Sequence, residues 1–319
     1  MIKLNAKNKL GWLITINVVL LLLVSLGLLF SPERRSERSA ALSVLADASL
    51  VASVELSSAE GKIMLVKNVD TWQVEREAVV YPADGNRIKA FLEALALVKR
   101  GDRVAAKNES WPQLGLDDAN SVTLSLLDAG GKLISTMRTG NYASGTGSVY
   151  VALGEQEAAW RVSGGFASYV KGAYNLWYDL RIFQGIAPAD IQSLQVQGRI
   201  ELAEGNIVSA DYRLQRWQNG WVVQDEPDTA IAAAKVESML RAWTSVRAES
   251  FVFDNSAQDL SDGLLLSATL GDGSVYSMRV STSMQDDKYT AFVQPLRKQL
   301  RMSAWAIRES VKQLSDLSD

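Results

Sequence analysis

The sequence predicts an α+β protein: an N-terminal transmembrane helix followed by two tandem repeats of a mostly antiparallel sheet with packed helices. Three observations predict it. Leu10 to Phe30 is a run of 21 residues without a formal charge. Beyond it, a helical apolar pattern occurs twice, the copies offset by 148 residues. Alternating apolar strands joined by glycine turns surround each copy, the order of an antiparallel sheet rather than of βαβ units.

The expected organisation is a cytoplasmic tail at 1–9, a transmembrane anchor at 10–30, a linker at 31–49, a first repeat at 50–184 and a second at 185–319. At about 1.5 Å per residue the apolar run spans roughly 30 Å, the thickness of a bilayer core. In lipid a single span must satisfy its own backbone, so it must be a helix. Trp12 sits at its near end, where an indole ring favours the headgroup layer. The run is about twice as long as a typical signal-peptide core. The nearest small-x-small site, Ala46-Asp47-Ala48, lies well past its end, so an uncleaved signal anchor is expected. Lys3, Lys7 and Lys9 precede the run; Arg34, Arg35 and Arg38 follow it. That tie leaves the positive-inside rule nearly silent; the expectation is N-terminus inside, large domain outside. Asn17 is the strongly polar side chain near mid-membrane, either locally bonded or a contact to a partner helix. Pro32, serines and alternating charges then mark the linker.

In the first repeat, Ile88, Phe91, Leu92, Leu95 and Val98 form the stripe of an amphipathic helix after Pro82-Ala-Asp84. In the second, Val236, Met239, Leu240, Trp243 and Val246 repeat the spacing after Pro227-Asp228. In each copy an aspartate near the start is a candidate cap. Thr71-Trp72-Gln73-Val74 and Gly220-Trp221-Val222-Val223 read as strands before the helices, with Asn219-Gly220 as a hairpin turn in the second copy. Strands near 102–106 and 251–253 follow the helices. Hairpins come next: Val122, Leu124 and Leu126 turn at Gly130-Gly131, and Leu264, Leu266, Ala268 and Leu270 turn at Gly271-Asp272-Gly273. The returning strands carry Met137-Arg138 and Met278-Arg279. A closing helix is expected from Phe166, Tyr169, Val170, Ala173, Leu176 and Trp177, and another from Leu300, Ala304, Ile307, Val311 and Leu314. Gly185 and Pro188 interrupt the pattern between repeats.

Composition narrows the chemistry. Hydrophobic residues make up 47% and charged residues 22% of 319, enough to bury a core in two domains. The net charge of −3 argues against nucleic-acid binding, which needs a basic stripe. Without cysteine there are no disulfides, thiolate nucleophiles, thiolate metal sites or lipoprotein acylation. Without histidine the commonest metal ligand and general base are missing as well. No catalytic, cofactor-binding or metal-ligating residue is therefore assigned, no cofactor is expected, and the chain is read as not an enzyme.

Trp-Gln-Val and Tyr81-Pro-Ala-Asp, an amphipathic helix, Leu114-Gly-Leu116, Gly140-Asn-Tyr and Val149-Tyr150-Val151 together resemble the bacterial family termed domain of unknown function 4340. The resemblance covers most of Leu50 to Trp177, with a weaker second copy whose nearest Gly-Leu counterpart is Gly263-Leu264. Leu114 stands where the family pattern has an aromatic. The resemblance implies an N-terminal span and association with gliding-motility-type ABC transporter components. It implies no catalytic residues.

Other constellations have ordinary explanations. The glycines of Gly140 to Tyr150 run into a strand rather than a helix, so they make a loop and not a phosphate cradle. Asp117-Asp118, Asp225-Glu226 with Asp228, and Asp286-Asp287 sit at turn positions and fit no calcium loop. Of the nine tryptophans, Trp72, Trp177, Trp221 and Trp243 fall on expected core faces. Trp111, Trp160, Trp217 and Trp305 could be core, stack on sugars or anchor a protein. Lys171 and Tyr174 lie near Tyr169, with no serine placed beside them by the sequence.

The expected function is a single-pass accessory or scaffold protein of an ABC-transporter-type envelope complex in the inner membrane. Its large domain would be periplasmic and bind a permease or associated subunit. The alternative is an envelope glycan or peptidoglycan-binding module.

Overall fold

The computed structural model describes residues 44–45, 47–98, 101–145, 147–172, 174–202, 205–218, 220–253 and 258–318. The expected tail, the anchor with Trp12 and Asn17, and most of the linker lie outside the described residues, as do Ala173 and Asn219. Among the described residues no helix is long and apolar enough to cross a membrane. The chain forms two compact units that meet in sequence between Tyr178 and Asp179.

The first unit runs β1 (Ser53–Ser58), β2 (Gly61–Asn68), β3 (Thr71–Arg76), β4 (Val79–Pro82), α1 (Gly85–Ala96), β5 (Asp102–Ala105), α2 (Trp111–Leu114), β6 (Val122–Leu127), β7 (Leu133–Ala143), β8 (Ser148–Leu153), β9 (Ala159–Ser163) and α3 (Ala167–Val170). Its nine strands pair in the order β4-β3-β2-β1-β6-β7-β8-β9-β5. The second unit runs β10 (Ile191–Glu201), β11 (Ile207–Trp217), β12 (Gly220–Val223), α4 (Ala233–Ser245), β13 (Ser250–Phe251), β14 (Leu264–Leu270), β15 (Val275–Val280), β16 (Lys288–Gln294), β17 (Lys298–Ser303), α5 (Ala304–Ser310) and α6 (Leu314–Leu317). Its eight strands pair as β12-β11-β10-β14-β15-β16-β17-β13. With β4 set aside, the two orders are the same. Neighbouring strands are antiparallel in both sheets, including β1–β6 and β10–β14, where the helix and a short strand intervene in sequence.

The duplication extends to single hydrogen bonds. In the first unit Ala83 bridges Tyr178, and the Asp84 N–H donates to the Trp177 carbonyl at 2.9 Å. In the second, Ile231 bridges Ser318, and the Ala232 N–H donates to the Leu317 carbonyl at 2.9 Å.

Period-two alternation gives each sheet a main buried face. Val54, Leu56, Ile63, Leu65, Val74, Leu124 and Leu126 are buried, as are Ile88, Phe91, Leu92 and Leu95 of α1. In the second unit, Leu194, Val196, Leu214, Leu264, Leu266 and Met278 are buried with Val236, Met239, Leu240 and Trp243 of α4. Removing such area from water contributes about 25 cal/mol per Å² and is the main term holding each unit together. Trp177, Trp243, Trp221 and Trp160 are buried, and Trp72 is only half-buried.

Several local expectations need correction. Asp84 caps α1, its Oδ1 accepting from the Arg87 N–H at 3.1 Å. Asp228 caps nothing comparable, because α4 starts at Ala233 after Ala232, which lacks a side-chain cap. Neither closing segment is one helix. In the first unit α3 stops at Val170, and a 3-10 turn follows at Tyr174–Trp177. A Cβ on the intervening Gly172 would lie 2.3 Å from the Leu176 side chain and 2.8 Å from the Ser168 carbonyl oxygen, a close approach that only glycine leaves open. In the second, Leu300 lies in β17 opposite Ala291. The Ser303 hydroxyl caps α5 by accepting from Ala306 N–H at 3.2 Å, and Val311 is extended.

The expected break at Gln184 to Pro188 falls after residues that already pack with the second unit. The Ile182 N–H donates to the Val246 carbonyl at 3.3 Å, and the Ala248 N–H to the Leu180 carbonyl at 2.8 Å. Asp179 is buried and accepts from the Arg181 N–H and Nε at 3.0 Å. Burial opposes ionisation of this carboxylate, but the Arg181 hydrogen bonds and the charges of Arg181 and Arg247 outweigh it and lower its pKa. A depressed folded pKa contributes stability that is present above the unfolded value, about 3.9, and lost as pH falls through the folded value. Asp179→Asn is therefore expected to cost about 1–2 kcal/mol at neutral pH, discounted for the exposed Arg181. Unfolding curves for the two chains should converge in acid below that window; a constant gap would refute the ion-pair assignment.

Candidate functional site

The family-like motif residues meet on the first sheet, on the face away from α1. Along β8, Val149 and Val151 point to the main core, so Tyr150 and Ala152 point the other way. A second apolar cluster forms there from Leu116, Ala152 and Ala159, with Ala105, Trp111, Leu114 and Tyr150 packed against it. The helix α2 lies over this cluster. Pro112 sits in its first turn, where a missing N–H costs nothing. Gly115, at φ 66°, ends it in the left-handed conformation.

Close backbone approach explains the two glycine motifs together. A Cβ on Gly140 would lie 2.4 Å from the Leu114 carbonyl oxygen and 3.0 Å from the Leu116 side chain. One on Gly115 would meet the Asn141 side chain at 2.5 Å. The β7–β8 register shifts between Thr139 and Tyr142, at this contact.

Polar groups complete the clasp. Arg138 donates to the Leu116 carbonyl at 3.2 Å, pairs with Asp118, and lies 5.1 Å from the Trp111 ring centroid. Trp111 Nε1 donates to the Glu157 carbonyl at 3.0 Å. Lys171 Nζ donates to the Gly140 carbonyl at 2.7 Å, and partial burial lowers its pKa from the ordinary lysine value. These groups hold backbone in place. Tyr142, beside the clasp, remains 52% exposed.

The sequence named these motif residues but not their contacts. Arg138 stood only in a matched dipeptide, and nothing local pairs it with Trp111. One arrangement the sequence missed lies elsewhere in this unit. The Tyr174 hydroxyl is 2.8 Å from Ser58 Oγ and donates to the Gly61 carbonyl at 3.1 Å. Lys171 is engaged with Gly140 instead, so the three do not form a Ser-Lys arrangement.

The remaining candidates sit at turns. Gly145 and Gly147 have φ of 71° and 59°, and their loop enters β8. Asp117 accepts from the Asn120 amide at 2.9 Å. Asp286 and Asp287, at φ 52° and 59°, make the turn between β15 and β16. Asp225, Glu226 and Asp228 are exposed in the turn after β12. Among the described residues no group of three or more Asp or Glu is placed to hold a metal ion. Of the four unplaced tryptophans, Trp160 is buried and Trp111 half-buried, whereas Trp217 and Trp305 are 61% and 66% exposed.

A family profile described as domain of unknown function (DUF4340) matches residues 72–219, from β3 through the end of β11. No curated protein and no solved structure matches the chain.

Proposed function

From the membership of residues 72–219 in the domain-of-unknown-function 4340 family, we propose a single-pass membrane-anchored accessory or scaffold protein of an ABC-transporter-type envelope complex. It acts by protein–protein binding through its two sheet units, which lie outside the cytoplasm, with the N-terminus inside. Its partner is a permease or an associated subunit. The apolar run at 10–30 supports the tether, which raises effective concentration without new contacts. The observation that carries the binding role is how the motif residues are used. Gly115, Leu116, Arg138 and Gly140 lock one element onto a sheet.

The test is gentle solubilisation of native membranes, crosslinking, and recovery through a tag at Asp319, with neighbours identified by mass spectrometry. A permease or its ATPase among the neighbours is the expected result. Recovery of the chain without any membrane protein would end this reading.

The exposure of Trp217 and Trp305 favours a second reading, a glycan or peptidoglycan-binding module. Trp111 is the wrong probe, because its indole is engaged by Glu157 and Arg138. If glycan binding is the function, the full-length chain is retained on purified cell-wall material. Trp217→Ala and Trp305→Ala would then each weaken retention about tenfold or more. Under the scaffold reading neither the parent nor the variants are retained.

A further inference from the structure

The two sheets differ at one edge. In the first unit β4 covers β3: Val74 pairs with Tyr81, and the Ala83 N–H donates to the Trp72 carbonyl at 3.3 Å. In the second unit Trp221 and Val223 occupy the places of Trp72 and Val74, and β12 ends the sheet. The Gln224 N–H donates to the Arg213 carbonyl at 2.9 Å. Arg213–Gln224 is thus a hydrogen-bonded pair, and alternation makes Gln215–Val222 and Trp217–Gly220 the next ones. The N–H groups of Trp221 and Val223 therefore turn away from β11, in the direction that β4 fills in the first unit. Among the described residues no strand pairs there. The chain leaves instead through the exposed turn from Gln224 to Asp228.

A second observation marks this edge. Trp217 lies opposite Gly220, so both project to the same face of the sheet. Gly220 carries no side chain, and a Cβ built on it meets nothing within 4 Å. The Trp217 ring, 61% exposed, is therefore open to a residue on a strand added beyond Gly220. The other sheet edges are poorer templates. The β4 edge ends in Pro82, which has no N–H, β5 is broken by a register shift between Arg103 and Ala105, and β13 spans two residues.

We propose that the β12 edge receives an extended segment of a partner protein as an added antiparallel strand, in the position β4 fills in the first unit. This deepens the scaffold reading and rests on it. The Val223 carbonyl already accepts from the Glu226 N–H at 3.3 Å, so main-chain hydrogen bonds to the Val223 N–H and to the N–H and carbonyl of Trp221 supply affinity, and side chains supply choice of partner. The residue facing Gly220 is bulky and apolar, packing on Trp217. An antiparallel segment approaches past Val223, so its preceding residues meet Asp225, Glu226 and Asp228. A lysine or arginine a few positions before the apolar residue complements them.

The test places a photo-crosslinking amino acid at Val222 in the full-length chain in native membranes, with Val80 on β4 as the comparison site. Irradiation should give a protein adduct from position 222 and none from 80. The crosslinked peptide should carry the basic and apolar residues in that order. Gly220→Lys has room for its side chain and sets a charge before the Trp217 ring. It should cut adduct yield about tenfold or more. Val223→Pro, which removes an outward N–H, should do the same, with unfolding curves checking that each variant folds. If the tag at Asp319 recovers a membrane partner but position 222 gives no adduct, the edge proposal falls and the scaffold reading stands. If no partner is recovered at all, both fall. An adduct to a second copy of this chain, or one unaffected by Gly220→Lys in a folded protein, also overturns the proposal.

Discussion

Trp243→Ala is expected to destabilise the second unit by about 3–5 kcal/mol. The Trp243 ring is 1% exposed and lies 4.0 Å from that of Phe183, centroid to centroid. Val236, Met239 and Leu240 of α4 are buried on the same stripe. Truncation removes the transfer energy of the indole and leaves a cavity that this stripe cannot fill. Trp243→Phe should cost clearly less, for a reason beyond size. Among the described residues the buried Trp243 Nε1 has no hydrogen-bond partner, so the phenyl ring loses no bond and removes an unsatisfied donor. Hydrogen exchange of the full-length chain checks this, with protection read in α4 and in β10 to β12. Equal losses for alanine and phenylalanine would contradict the packing account.

Gly140→Ala is expected to cost about 1–3 kcal/mol and to lift α2 from the first sheet. The added methyl would sit 2.4 Å from a backbone oxygen, which cannot rotate away as a side chain could. The Leu116 N–H donates to the Trp111 carbonyl at 2.9 Å, so faster exchange at Leu116 reports opening of the clasp. By contrast, Gly115→Ala meets the movable Asn141 side chain and mainly suffers the left-handed backbone, about 1–2 kcal/mol. If Gly140→Ala left Leu116 exchange unchanged, the close approach would not be what holds α2.

These contacts show where sequence reasoning reached and where it stopped. The α1 and α4 stripes, and the hairpins at Gly130-Gly131 and Gly271 to Gly273, were legible because period 3.6 and period 2 are local signals. The duplication was legible for the same reason, and it emerges as one strand order used twice. The closing segments misled because their apolar residues keep helical spacing across Gly172 and Ser303, where backbone contact and a cap decide the break. At Glu77 and Ala78, φ of 51° and 62° makes a turn that glycine or asparagine would fit better, so no turn signal was present. Arg138 over Trp111 and Lys171 on the Gly140 carbonyl depend on pairings distant in sequence. For β12 a faint signal exists: the first copy has Val79-Val80-Tyr81 before its helix, and the second has Asp225-Glu226-Pro227.

The central claim is that the sheet units recognise the partner and the apolar run only tethers them. It is tested most directly by replacing residues 10–30 with an unrelated transmembrane segment and repeating the crosslinked recovery from native membranes. The account predicts the same neighbours in similar yield. Loss of those neighbours with the chain still folded and membrane-bound would place recognition in the helix, around Asn17, and would contradict it.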